Sequence, residues 1–189
     1  GEWVINEACK QVKIWIEKGV IGTDFTMAIN ISAKQFHNQD INKLIKTILG
    51  FHSVEAKYLE VEITESTLVD KEDETIVILE NLRAQGIRVA LDDFGTGYSS
   101  LSYLKKFPID MLKIDKSFVN DIPFQKSDME IAMTIINLGH TFGFRVLAEG
   151  VETEDQLAFL RNKGCDVFQG YLRSKPIPAG EFELLLTNN

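Results

Sequence analysis

Arg88-Val89-Ala90-Leu91-Asp92-Asp93-Phe94-Gly95-Thr96-Gly97 is the stretch on which the fold of this 189-residue chain turns. Arg88 to Asp92 reads as a short strand rich in apolar residues. Side chains two apart on a strand share a face, so Val89 and Leu91 line one side while Ala90 and Asp92 line the other. A carboxylate closing an otherwise apolar strand is costly to bury unless something compensates it. Gly95 and Gly97 then allow the positive φ angles of a tight excursion.

The same grammar recurs along the chain. Phe25 to Ile31, Tyr58 to Ile63, Met111 to Ile114, Phe144 to Ala148 and Asp166 to Phe168 are further apolar runs of strand length, about six in all. Amphipathic segments separate them. Ile41, Leu44, Ile45, Ile48 and Leu49 fall on one helical stripe, as do Ile131, Ile135 and Leu138. Glu7 to Lys18 reads as a helix ahead of the first strand, with Ala8, Val12 and Trp15 on its apolar side. Thr153 and Gln156 form a capping-box pattern before Leu157 and Leu160, and Gly164 supplies the stop. No proline-rich or low-complexity linker divides residues 1–189, which therefore read as one α/β domain.

Composition narrows the function classes. A formal charge of -8 argues against a partner such as duplex DNA or RNA, whose binding rests on clustered Lys and Arg. No apolar run approaches the roughly 20 residues of a membrane span. Cys9 and Cys165 lack CxxC spacing, so neither a disulfide framework nor a structural zinc site is expected, and a cytoplasmic setting is. The start at Gly1-Glu2-Trp3, without Met or a signal region, reads as that of a trimmed piece.

Asn30, Glu62, Asp92, Lys113, Glu149 and Gln169 each stand at the end of an apolar run. In a (β/α)₈ barrel the C-terminal strand ends carry the chemistry, so these positions point to one shared mouth. Parity agrees: Asn30 sits with Ala28, Glu62 with Glu60, Asp92 with Ala90 and Lys113 with Asp115, opposite greasy faces that pack outward. Glu60 and Arg88, one layer deeper, are expected to pair. Carboxylates this close repel by about 4 kcal/mol per pair at an effective dielectric of 20, so a cation belongs among them. Oxygen ligands favour magnesium, manganese or calcium over zinc, and His37, His52 and His140 lie away from the strand ends. The adjacent Asp92 and Asp93 could serve two ions, as in phosphodiester hydrolysis. Blander readings stand beside these. Lys113 could form a structural ion pair with Asp115 or Glu149, Glu152 could reach the site or cap a helix, and Gly95-Thr96-Gly97 is too little of a phosphate-loop fingerprint to count.

Asn30-Ile31-Ser32, Leu59 through Ser66 (LEVEITES), Asp92 through Leu101 (DDFGTGYSSL), Lys113-Ile114-Asp115, Ala148 through Glu152 (AEGVE) and Gln169-Gly170-Tyr171 resemble, in order, the motifs of the EAL phosphodiesterase family. The resemblance implies a modified (β/α)₈ TIM-type barrel whose first strand runs against the others. It also implies metal-dependent hydrolysis of cyclic diguanylate to the linear dinucleotide pGpG. Carried over by position, Asn30, Glu62, Asp92, Asp93 and Glu149 would surround one or two Mg²⁺ or Mn²⁺ ions. Lys113 would hold or help deprotonate the attacking water, with Glu149 and Gln169 also catalytic, and Glu65 would anchor the loop that begins at Asp93. Asp115 and Glu152 are further candidates. That loop contributes to dimerisation in the family, so a homodimer is expected, as is an upstream sensory domain, with membrane tethering of a longer protein left open. The family's Glu-Ala-Leu segment and opening strands are expected before Gly1, leaving an N-terminally truncated barrel of about six parallel strands that is not expected to be active in isolation. A rival from another class is an inactive EAL-like receptor or docking module.

Overall fold

The computed structural model describes residues 1–38, 40–69, 71–95 and 104–187. Strands β1 (Met27–Asn30), β2 (Leu59–Thr64), β3 (Arg88–Phe94), β4 (Met111–Ile114), β5 (Arg145–Ala148) and β6 (Val167–Phe168) pair in chain order, every pair parallel. The sheet curls into a half-barrel with helices around it. Those helices are α1 (Glu2–Glu17), α2 (Ala33–Asn38), α3 (Ile41–His52), α4 (Glu65–Val69), α5 (Glu72–Ala84), α6 (Lys126–Thr141), α7 (Glu154–Asn162) and α8 (Ala179–Thr187). Among the described residues, none of them is long and apolar enough to cross a membrane.

Strand parity sorts the apolar residues into two cores. Outward-facing Val61, Ile63, Val89, Leu91, Leu112, Ile114 and Val146 join Ile45, Leu79, Leu82 and Ile136 of the helices. Inward-facing Ala90, Met111 and Leu147, with Val167 against them, form a separate cluster on the inner face of the curl. Each fully buried aliphatic side chain contributes about 1.5–3 kcal/mol, so the outer core dominates stability while the small inner cluster lines the interior of the curl. On the open side, α8 docks on α1: Trp15 Nε1 and Lys18 Nζ both donate to Glu183 Oε1, at 3.0 and 2.9 Å. Phe182 lies against the Trp15 ring at 5.3 Å between centroids.

Local signals act as expected at α7. Thr153 Oγ1 accepts from Gln156 N at 3.2 Å, Gln156 returns the bond, and Gly164 ends the helical segment with φ +83°. At α6 the apolar stripe is rotated: Ile131 is 38% exposed, and the buried face is Ala132, Ile135, Ile136 and Gly139. Gly139 explains the rotation, since a Cβ there would overlap Val146 Cγ2 and only a glycine lets the helix settle this close to β5.

The expected Glu60–Arg88 pair does not form. The two are register neighbours, but no contact within 4.0 Å joins them, and Arg88 Nη1 instead donates to Thr26 Oγ1 at 2.6 Å. Arg88 opens its strand at the lower rim, where its long side chain turns to the segment before β1 rather than to Glu60 beside it. Glu60 is left 7% exposed, its carboxyl pushed up by burial and then by the charge of Glu62, with Arg88 only partly offsetting this.

Two measurements check this account. Gly50, inside α3 with open space where its Cβ would be, and Gly139 should respond oppositely to alanine. Gly50→Ala should raise stability by about 1 kcal/mol through helix propensity. Gly139→Ala should lose about 1–2 kcal/mol net, because overpacking outweighs that gain. Urea midpoints read both. For Glu60, native structure raises the pKa above the ordinary 4.5, so the native state holds its proton to higher pH than the unfolded chain. The ionisation penalty is therefore present above the native pKa and disappears as pH falls toward 4.5. Glu60→Gln should stabilise at neutral pH, with an advantage that shrinks on acidification.

Candidate active site

The upper ends of β2 to β5 converge on one ammonium. Lys113 Nζ, from β4, lies 2.9 Å from Glu62 Oε1, 2.9 Å from Asp92 Oδ1 and 2.8 Å from Glu149 Oε1. Its residue is only 2% exposed. Asn30, at the end of β1, donates from Nδ2 to Glu62 Oε2 at 3.1 Å, leaving its amide oxygen, the ligand-type atom, outside that bond. Three carboxylates against one ammonium leave two formal negative charges at the mouth before Asp93 is counted.

Adjacent residues on a regular strand point to opposite faces, so Asp92 and Asp93 should not share a site. A bulge removes the conflict. Leu91 pairs with Leu112 and Phe94 with Ile114, so Asp92 and Asp93 together stand opposite Lys113 alone. Asp93 takes φ +55°, a left-handed conformation that Asp tolerates better than most residues. Its N–H donates to Asp92 Oδ1 at 3.1 Å. Carboxylate oxygens of Asp92, Asp93 and Glu149 thereby lie within 4.8 Å of one another.

The electrostatics follow this packing. Burial pushes the Lys113 ammonium down, but its hydrogen bonds to Glu149 and Glu62 outweigh it and hold its pKa well above the usual lysine range. Burial raises the Glu149 carboxyl; Lys113 opposes, and the charges of Asp92 and Glu62 add to the rise. Asp93 is likewise pushed up, first by burial and then by Asp92 and Asp115. Asp115 moves the other way: burial is outweighed by hydrogen bonds from Ser117, and it sits below the ordinary aspartate value.

Of the positions singled out above, Asn30, Glu62, Asp92, Lys113 and Glu149 form one bonded cluster, with Asp93 beside it. Asp115 does not pair with Lys113. The strand stops at Ile114, and Asp115 turns to cap the short helical turn Lys116–Phe118, accepting from Ser117 N at 3.0 Å. Gln169 lines a cavity of about 720 Å³ that runs down the curl past Glu62 and Glu60 to Arg88 and Arg145. Gln169 and Glu152 also line a recess of about 320 Å³ against Glu149. Lys116 and Tyr171 share that recess, and nothing in the period of the sequence singles out Lys116, which sits in a turn. Glu65 opens α4 and is buried. Most of the loop it is expected to anchor, residues 96–103, lies outside the described residues, and with it Gly97 and the expected dimer contact. The three histidines bond elsewhere, His37 to the Thr67 carbonyl, His52 to Asn6 and His140 to Asp166. Cys9 and Cys165 are free thiols pushed up to about 11 by burial.

Comparison with known proteins bears on the family and the fold. A family model described as EAL domain matches residues 1–176. The signaling protein YkoW of Bacillus subtilis is 49% identical over 183 residues, which cover 97% of this chain and 22% of YkoW. MucR of Pseudomonas aeruginosa, a bifunctional diguanylate cyclase/cyclic di-GMP phosphodiesterase, is 44% identical over 95% of this chain and 26% of its own length. The chain thus spans about a quarter of these relatives. The structure of the MucR phosphodiesterase in complex with c-di-GMP superimposes with a TM-score of 0.91 at 43% identity, covering 96% of this chain and 73% of that one. BlrP1 of Klebsiella pneumoniae, solved as a manganese/cyclic diguanylate complex, gives a TM-score of 0.78 at 29% identity over 93% of this chain and 45% of its own. Sequence and fold agree over nearly the whole length, and the chain belongs to the EAL domain family.

Proposed function

We propose that this chain is the metal-binding, catalytic portion of a phosphodiesterase that hydrolyses cyclic diguanylate to pGpG. The observation that carries the reading is the convergence of Glu62, Asp92 and Glu149 on Lys113, with Asp92, Asp93 and Glu149 oxygens within 4.8 Å of one another. MucR, named a cyclic di-GMP phosphodiesterase, and the BlrP1 complex with manganese and the same dinucleotide support it.

An all-oxygen donor set with excess negative charge fits hard divalent ions, Mg²⁺ or Mn²⁺, better than zinc. Asn30, Glu62, Asp92, Asp93 and Glu149 would hold one or two of them. Bound there, such an ion lowers the pKa of water toward neutrality and offsets phosphate charge. Lys113 stays protonated at neutral pH, so Nζ donates: it orients the attacking oxygen and stabilises charge building on phosphate. Glu149, 2.8 Å from that ammonium, is the carboxylate placed to accept the proton the water releases. Gln169, at the rim of both cavities, positions water or substrate. Dimerisation through the loop after Asp93, an upstream sensory domain and a cytoplasmic setting complete the proposal.

Two experiments test it. The natural protein, given cyclic diguanylate and Mn²⁺, should release pGpG; chelation should stop turnover, and Asp92→Asn should slow it at least 100-fold, about 3 kcal/mol in barrier. Binding without turnover would favour the receptor reading, and neither binding nor turnover would end both. Lys113→Met should cost about 3–5 kcal/mol in metal-free buffer, because the buried carboxylates lose their counter-charge. Saturating Mn²⁺ should restore thermal stability more in this variant than in the parent; equal Mn²⁺ responses would contradict the site.

A further inference from the structure

Gln156 enters the sequence as a helix cap, yet the structure gives it a wider reach. It is 4% exposed and uses both donors and both lone-pair directions of its amide. Oε1 accepts from Thr153 N at 2.9 Å, the bond a capping box requires, and also from Glu152 N at 2.7 Å. Nε2 points away from the helix and donates to Val119 O and Asn120 O, both at 3.1 Å. Val119 and Asn120 close the turn that starts at Asp115, two residues beyond Lys113, and Glu152 follows Glu149 by three. A single buried amide therefore joins the loop leaving β4 to the loop leaving β5.

Neighbouring contacts show how little slack these loops have. A Cβ on Gly150 would lie 2.6 Å from Lys116 Cβ, which presses the turn after β4 directly onto the residue following Glu149. A Cβ on Gly170 would overlap the Val151 backbone, locking the Gln169 segment to the same loop. A Cβ on Gly95 would lie 2.8 Å from Phe118 Cε2, so Gly95, two residues after Asp93, rests on that turn as well. The segments that follow Lys113, Glu149 and Gln169, with Gly95 resting on the first of them, thus form one collar, and Gln156 is the side chain that hydrogen-bonds across its middle.

We infer that Gln156 is a positioning residue for the metal site: by tying Val119 and Asn120 to Glu152 and Thr153 it holds the Lys113 and Glu149 arms at the separation the cation needs. The inference rests on the metal-binding reading above and acts through Glu149 and Lys113. Other side chains of this size fail for definable reasons. Methionine makes none of the four bonds, and an ionised glutamate would face two carbonyl oxygens with no proton to offer.

Mn²⁺ titration calorimetry and thermal melts on the protein and three variants test this. Gln156→Met should weaken Mn²⁺ binding by about tenfold or more, the scale of lost outer-shell support. Thr153→Ala removes the cap of the same helix but leaves the bridge intact; it should lower the melting temperature while keeping Mn²⁺ affinity within about twofold of the parent, since cap loss acts on helix stability. Gln156→Glu should bind Mn²⁺ progressively worse than the parent as pH rises from about 5 to 8, because the protonated acid can still donate one bond and the carboxylate cannot. Parental affinity in folded Gln156→Met overturns the inference, as does an affinity loss in Thr153→Ala that matches its thermal shift in the same proportion. Should Gln156→Met not fold, a Gln156→Glu affinity that tracks the parent across that pH range overturns it instead. A parent that binds no Mn²⁺ overturns the metal reading itself and this inference with it.

Discussion

Lys113 is the constraint around which the rest of the molecule is arranged. Each pair of carboxylates at 4 Å costs about 4 kcal/mol at an effective dielectric of 20, and each carboxylate–ammonium contact returns a similar amount. Glu62, Asp92 and Glu149 can therefore crowd together only because one cation touches all three. That cation must come from a strand facing the same interior, and a central place between β3 and β5 gives Lys113 the required reach. Beneath the charges, the apolar cluster of Ala90, Met111 and Leu147 gives the inner wall of the curl a low-dielectric face, which strengthens their coupling.

The second requirement is that two consecutive aspartates serve one mouth, which a regular strand forbids. The bulge at Asp92-Asp93 meets it by giving up one ladder position and placing Asp93 in a left-handed conformation, a local cost of order 1 kcal/mol or more. Strain of this kind persists where the surroundings over-determine it. Phe118 and Ile135 lie close enough to Gly95, the residue that follows the strand end at Phe94, to leave no room for a side chain there.

Much of the fold was legible because it depends on alternation. Outward Val61, Val89 and Leu91 and inward Glu62, Ala90 and Asp92 follow from period two, and the expected Met111 to Ile114 strand has the observed limits. Convergence of Asn30, Glu62, Asp92 and Glu149 was legible for the same reason, as polar residues ending apolar strands. Features set by three-dimensional reach were not. Arg88 prefers Thr26 to Glu60, and Ile131 turns outward because Gly139 sets the approach of its helix. Asp115 caps a turn instead of meeting Lys113. The bulge leaves no periodic signature, and the bridging bonds of Gln156 join loops more than 30 residues apart in sequence.

Everything rests on a divalent cation settling among side chains from separate strands. Anomalous diffraction at the manganese edge, from crystals of the protein equilibrated with Mn²⁺, addresses this directly. One or two peaks should appear between the carboxylates of Glu62, Asp92, Asp93 and Glu149, with Lys113 Nζ displaced from at least one of its present partners. A saturated crystal with no peak there, and Lys113 still bonded to all three carboxylates, would contradict the account.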